Sequence, residues 1–293
     1  MLERIIDMHM HSTYSDGELS PDELIELAVN NNISIASITD HDTINGIKNI
    51  DRENPYIKNN EIKIYNGIEL STKIPTGRMH ILGYDFDINS EVLNNKLLDI
   101  RNNSISSFLS IIEQLKKDYN IIFAQEEIDY LIKVKNNLGR PDIARLLMKY
   151  GYVKTVAEAF DKYLIAAHNK VRGKTKGLSY EESIDLILKS GGIPVLAHPK
   201  ALELDHENLE ILLKDMINCG LQGIEVYHSI HTKEEMNFYL KLANKYNLLI
   251  SGGSDYHGRI VKPEIEIGTG QNNNLKIKQL SLVDEIKSRH SKR

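Results

Sequence analysis

One cysteine, Cys219, in 293 residues excludes a disulfide framework and any cysteine-built zinc site, and it suits a reducing compartment. No apolar run approaches membrane-spanning length, and the first seven residues meet charge too early for a secretory leader, so a cytoplasmic protein is expected. Pro/Gly/Ser-rich linkers are missing, as is any repeat with a period of roughly 20–50 residues. An excess of positive charge is missing too. The 36 basic and 41 acidic side chains give a formal charge of -5, which argues against coating long nucleic acid. A small phosphorylated substrate stays open, because bound metal ions would alter the local field. With 41% hydrophobic and 26% charged residues the chain is not disordered, and its length suits one large α/β domain or a core with an insertion.

What the chain does have is histidine, eleven of them, and their positions follow a pattern. Short β-type runs rich in Ile, Val and Leu recur at residues 4–11, 33–38, 62–70, 79–84, 192–198, 223–228 and 248–257, and most end in polar clusters. Helices between them are announced by capping boxes at Ser20…Glu23, Ser179…Glu182 and Thr232…Glu235, the second helix running to a C-cap at Gly191-Gly192. Alternation of this kind predicts a parallel β/α architecture. Residues 98–175 differ: Ile105, Phe108, Ile111, Ile112 and Leu115, then Ile143, Ala144, Leu146 and Leu147, have helical spacing without strands. The expected organisation is a discontinuous barrel, 1–97 and 176–293, with a helical insertion at 98–175 that serves as a substrate-binding cap.

His9 and His11 lie two apart on a predicted strand, so both imidazoles leave one face and can grip one cation. Asp16-Gly17 follows, Asp40-His41-Asp42 ends the second run, and Glu69 ends the third. His198 ends the fifth run, and Asp255 and His257 end the seventh. In a β/α barrel the carboxyl ends of the strands share one face, so these groups are expected in one basin. His80 fits least, because it opens the fourth run. Taken singly, each has a plainer reading: a histidine at a strand end is usually a hydrogen-bonded structural residue, Asp16-Gly17 is an ordinary turn, and Ser12 or Thr13 could merely cap. Asp40 and Asp42 are read as carboxylates that orient His41. Repetition at strand ends favours metal binding for the set. Imidazole and carboxylate without thiolate suit Mn²⁺, Fe²⁺ or Zn²⁺ better than Mg²⁺.

The runs Asp7-Met8-His9-Met10-His11-Ser12, Ser15-Asp16-Gly17, Thr39-Asp40-His41-Asp42, Gly67-Ile68-Glu69, Ala197-His198-Pro199 and Ser254-Asp255-Tyr256-His257 resemble the signature motifs of the PHP (polymerase and histidinol phosphatase) family. The resemblance covers nearly the whole chain. It implies a distorted, TIM-like barrel of seven strands holding three divalent metals, with Mn²⁺ expected first and Fe²⁺ or Zn²⁺ as alternatives. By that resemblance His9, His11, Glu69 and Asp255 would hold one metal. Glu69 would bridge to a second, held also by His80 and His198, while Asp16, His41 and His257 would hold the third. Gly139-Arg140-Pro141, Ile143-Ala144-Arg145 and the run 159–164 are most similar to the stand-alone branch of nucleoside 3′,5′-bisphosphate phosphatases and a 5′-to-3′ exoribonuclease. That branch usually has His where this chain has Asp142.

Three divalent ions bring about +6 charge against about -3 from Asp16, Glu69 and Asp255, a locally positive basin that favours a phosphate ester. The expected reaction is in-line attack on phosphorus by metal-activated hydroxide, without a covalent enzyme intermediate, with Glu69 and Asp255 at the reacting centre. His228, ending the sixth run, is a candidate proton donor to the leaving group. Arg140, Arg101 and Arg172 are candidate phosphate contacts, with Thr13 as a further substrate-binding candidate. His168, His206, His231 and His290 read as surface residues. The expected substrate is a nucleotide carrying a 3′-phosphate or a short 5′-phosphorylated oligonucleotide, with no obligate protein partner. Two alternatives are weighed against it. One is a histidinol-phosphate phosphatase, disfavoured by the 139–141 motif. The other is a non-catalytic, metal-stabilised accessory domain, disfavoured because all nine ligands are present.

Overall fold

The computed structural model describes residues 4–74, 77–135, 138–171 and 177–292. The Ile-rich runs become strands, as expected of β-branched segments that pack on a pleated surface. They are β1 (Ile5–Met10), β2 (Ile33–Ile38), β3 (Lys63–Thr72), β4 (Met79–Tyr84), β5 (Ile193–Leu196), β6 (Gly223–His228) and β7 (Leu249–Gly253), side by side in chain order. The seventh strand returns to the first. Just beyond β7, the Asp255 amide donates to the His9 carbonyl at 2.8 Å and the His11 amide to the Tyr256 carbonyl at 2.9 Å. A Cβ on Gly253 would stand 2.3 Å from the His9 nitrogen, so this nearly closed seam needs glycine.

The all-parallel expectation is corrected at one strand. β1, β2 and β3 pair in parallel, as do β5, β6 and β7, but β4 runs antiparallel to both neighbours. The cause is connection length. Only residues 73–78 separate β3 from β4, too few for the crossover of roughly a dozen residues that a parallel return needs. Reversal puts the start of β4 beside the carboxyl ends of its neighbours. His80 therefore lies on the same rim as Glu69 and His198.

All three capping boxes form, at the starts of the helices Pro21–Asn30, Tyr180–Lys189 and Lys233–Lys245. The first buries Leu24, Ile25 and Ala28 against Met10, Ile33, Ala36 and Ile38. The last helix, Ser281–Lys292, adds Leu282, Val283 and Ile286 to a second cluster with Met8, Leu82 and Val195. Each of the Leu, Ile, Val and Met side chains contributes about 1.5–3 kcal/mol by leaving water.

The chain divides into two compact units, one of residues 1–94 and 178–293 and one of residues 95–177. Helices Gln125–Val134, Arg140–Lys149 and Ile165–Val171 lie in the second unit, with most of the helix Glu91–Tyr119. Its core includes Phe108, Ile111, Leu115, Phe123, Ile143, Leu147 and Leu164. Among the described residues no helix is long and apolar enough to cross a membrane.

Candidate metal centre

Glu69, buried in the last half of β3, is the hub. Its Oε2 lies 3.2 Å from His9 Nε2, 3.2 Å from His11 Nε2 and 3.3 Å from His41 Nδ1. Its Oε1 lies 2.7 Å from His80 Nδ1 and 2.8 Å from His198 Nε2. Five imidazoles from three strand ends and one strand start thus crowd one carboxylate. Asp255 closes the other side: Oδ1 sits 3.5 Å from His9 Nε2, 3.2 Å from His11 Nε2 and 3.4 Å from His257 Nδ1. Asp16, half-exposed, places Oδ1 3.3 Å from His257 Nε2 and 3.7 Å from His11 Nδ1, and Oδ2 4.0 Å from His41 Nε2. All nine sequence-predicted ligands meet here.

The donor atoms fall into sets with the spacing of a metal site. One atom from each of His9, His11, Glu69 and Asp255 lies within 4.8 Å of the others, and so do atoms of His11, Asp16, His41 and His257. His41, Glu69 and His80 form a third such set, with His198 Nε2 only 3.2 Å from His80 Nδ1. Several of these atoms are buried without a hydrogen-bond partner, among them His11 Nε2, His41 Nδ1 and Asp16 Oδ1. Buried polar atoms are rarely left so, and an orphaned set aimed at a common point is what absent cations would leave. The residues present fit divalent metal ions.

The charges support that fit. Burial alone would raise the Glu69 carboxyl, yet His41, His80 and His9 outweigh it and hold it well below the ordinary carboxylate range. Burial likewise opposes ionisation of Asp255, and Lys262, His257 and His9 overcome it to keep the acid ionised. Burial pushes His41 down to about 3, despite Glu69 and Asp16 nearby, and it also lowers His198. Burial opposes charge on His9 and His11 as well, but Glu225, Glu69 and Asp255 overcome it, raising His9 well above the ordinary imidazole value and His11 to about 9, so a bound cation would take the place of their protons. The backbone is strained at the same rim: φ is positive at Asp42 (55°), His198 (23°) and Asp255 (58°). Hydrogen bonds hold all three, from Asp42 N to the Glu69 carbonyl, His198 N to Glu225 and Asp255 N to the His9 carbonyl.

Two acids that sequence reasoning passed over organise the rim from behind. Glu225 Oε1 pairs with His9 Nδ1 at 2.8 Å, turning His9 Nε2 toward Glu69, and its Oε2 accepts the His198 amide at 2.7 Å. Burial would raise Glu225, but His9 and His228 bring it down to about 2. Its only sequence signal is an acid inside the apolar run Gly223-Ile224-Glu225-Val226. Asp7 accepts from Ser254 N at 2.9 Å, Ser254 Oγ at 2.6 Å and Gly268 N at 2.8 Å, locking the strand that carries His9 to the segment that carries Asp255. Asp40 and Asp42 do other work than orienting His41. Asp40 accepts from Ser12 N, Ser12 Oγ and Ser15 Oγ at 2.6–2.7 Å, shaping the turn that presents Asp16. In that turn a Cβ on Gly17 would lie 2.1 Å from the His11 carbonyl oxygen. Asp42 accepts the Ser71 amide at 2.9 Å.

A cavity of about 180 Å³ opens over the centre, walled by seven of the nine groups (all but His9 and His11) together with Arg78, His228, Ile230 and Lys262. His228 Nδ1 accepts the Ile230 amide at 3.2 Å, so the neutral ring carries its proton on Nε2, 3.4 Å from Asp255 Oδ2. Arg78 and Lys262 are cations that the sequence reading did not single out. Thr13 is exposed and its amide donates to Leu19, and it does not line the cavity. Arg101 donates to the Ile132 carbonyl at 2.7 Å, tying two helices of the second unit. Arg140, half-buried in that unit, lies over the Phe160 ring at 5.4 Å, where the 159–164 motif turns as a π-helix. Asp142 caps Arg140's helix by accepting the Gly139 amide at 2.9 Å, which accounts locally for an acid at that position. Arg172 lies outside the described residues. Of the histidines expected at the surface, His231 is buried instead, Nδ1 2.9 Å from the Val226 carbonyl and its ring against His228. It lies under the turn that leaves β6.

Residues 7–215 match the PHP domain, which is well over half of the chain. The chain belongs to the PHP family. As a PHP protein it is a hydrolase of phosphate esters. It is similar to the 5′-3′ exoribonuclease Rnm of Salmonella typhimurium, 31% identical over 271 residues that cover 90% of this chain and 88% of that one. The 3′,5′-nucleoside bisphosphate phosphatase of Chromobacterium violaceum is 28% identical, covering 86% and 87%. Among solved structures, a candidate metal-dependent phosphoesterase from Bifidobacterium adolescentis superposes with a TM-score of 0.76 at 26% identity, covering 98% of this PHP chain and 96% of the other.

Proposed function

We propose that the protein hydrolyses a phosphate ester of a nucleotide, either the 3′-phosphate of a nucleoside 3′,5′-bisphosphate or the terminus of a short 5′-phosphorylated oligonucleotide. The observation that carries this reading is the clustering of nine metal-competent side chains, Glu69 and Asp255 among them, beneath a cavity of about 180 Å³. That volume admits a phosphoryl group and a few waters, a water's share of liquid volume being about 30 Å³. Relatives named as a bisphosphate phosphatase and a 5′-3′ exoribonuclease supply the substrate class.

Three divalent ions are proposed, Mn²⁺ foremost, with His9, His11, Glu69 and Asp255 holding one, Glu69, His80 and His198 a second, and Asp16, His41 and His257 the third. Such ions supply a water of lowered pKa and neutralise phosphoryl oxygens. The chain's own residues do the rest. Glu225 and Asp7 fix the imidazoles and the Asp255 segment, so little reorganisation remains when substrate arrives. His228 holds a proton on Nε2 at the cavity wall and is assigned as donor to the leaving oxygen. Arg78 in the cavity wall is assigned to the phosphate, and Arg140 stays a proposed substrate contact on its sequence motif alone. The protein is proposed to work in the cytoplasm on small phosphorylated substrates.

Phosphate release with Mn²⁺ should be measured on a nucleoside 3′,5′-bisphosphate, a 3′-mononucleotide, a 5′-phosphorylated oligonucleotide and histidinol phosphate. Preference for the bisphosphate or the oligonucleotide is expected. Preference for histidinol phosphate, or no release from any of them, would overturn the reading.

A further inference from the structure

Asp255 presents its two oxygens to different surroundings. Oδ1 faces His9, His11 and His257, while Oδ2 faces His228 Nε2 at 3.4 Å and Lys262 Nζ at 2.6 Å. The lysine is thus a fixed-charge neighbour of a proposed metal ligand, and it stands in the wall of the cavity where a phosphoryl group must sit. Its backbone is tied down: the Lys262 amide donates to the Gly258 carbonyl at 3.0 Å, and the Glu18 carboxylate accepts the Val261 amide at 2.7 Å and the Ile260 amide as well. Only the side chain, about a third exposed, has freedom, and a four-carbon stem gives the ammonium reach of several ångströms.

We propose that Lys262 is a substrate-positioning residue with two alternating occupations. Without cations it neutralises Asp255. With cations bound, their charge and the loss of free negative charge on Asp255 release the ammonium, which then grips a non-bridging oxygen of the phosphate in the same cavity. The lysine stays an ammonium in both positions, and no bond forms or breaks. This rests on the metal cage proposed above, and it adds a consequence the cage alone does not have. Lys262 competes with metal for Asp255 and cooperates with metal for phosphate, so its removal must move the two affinities in opposite directions.

The test uses the full-length protein and two variants, Lys262→Met and Lys262→Arg. Mn²⁺ affinity is measured by chelator competition, and inorganic phosphate binding to the Mn²⁺-loaded protein by calorimetry. For Lys262→Met, Mn²⁺ is expected to bind up to about tenfold tighter and phosphate about tenfold weaker, the scale of one charge-assisted hydrogen bond. Lys262→Arg is expected to restore phosphate binding to within a few-fold. If Lys262→Met weakens both affinities, or leaves phosphate binding unchanged, the lysine is a structural ion pair and the proposal fails. Wild-type protein that takes up no Mn²⁺ would instead refute the metal cage, a distinct result read before either variant is made.

Discussion

Around Glu69 the barrel buries His9, His11, His198, Asp255 and His257, polar groups whose atoms are partly orphaned, whereas the helical unit buries Phe108, Ile111, Leu115, Ile143, Leu147 and Leu164 and packs like any amphipathic bundle. The two regions treat burial differently. In the helical unit, side chains leave water for one another and each contributes to stability. On the barrel rim, desolvated charges face each other at distances short enough to interact strongly, an arrangement that bound cations would balance. Mutations should therefore break catalysis in one region and folding in the other.

The largest effect is expected at the hub. Glu69→Gln should lower kcat by on the order of 10³-fold or more with the far-ultraviolet circular dichroism unchanged. Asp255→Asn and His198→Ala should behave alike, and full activity in any of the three would break the assignment. Leu147→Ala in the helical unit should do the reverse, costing about 2–5 kcal/mol in urea unfolding while bound metal per folded chain stays the same. Smaller is the expected result of Glu225→Gln, since the acid acts through His9: metal affinity should fall by about 10–100-fold, and an unchanged affinity would deny Glu225 its orienting role.

The smallest effect concerns pH. Burial and then the neighbouring His228 push His231 from an ordinary value of 6.5 down to about 3. Folding thus favours the neutral ring, so its contribution to stability is whole above pH 6.5 and is lost as pH falls toward 3. Urea midpoints of metal-free His231→Asn should decline less steeply than wild type across that window. Equal slopes would show that His231 does not titrate with unfolding.

Much of the rim was legible because most of the nine groups sit close to a boundary that composition marks, where an apolar run gives way to His, Asp or Glu. His80 looked misplaced only because strand direction is invisible in a run of Ile and Leu, although the six residues between β3 and β4 carried the information. Glu225 and Lys262 were not legible, for a different reason. Glu225 meets His9 across 216 positions of sequence, and an acid in a strand or a lysine in a loop declares nothing until its partner is known. Asp40 and Asp42 stood next to His41 in sequence and were paired with it on that ground. Their hydrogen bonds go to Ser12, Ser15 and Ser71 because neighbouring residues at a strand end point to different sides.

The central claim is that these nine side chains form one cage for several cations. Elemental analysis of folded protein purified without chelator measures it directly. The account predicts about three divalent transition ions per chain, falling on substitution of Glu69, and well-folded protein holding fewer than one would contradict it.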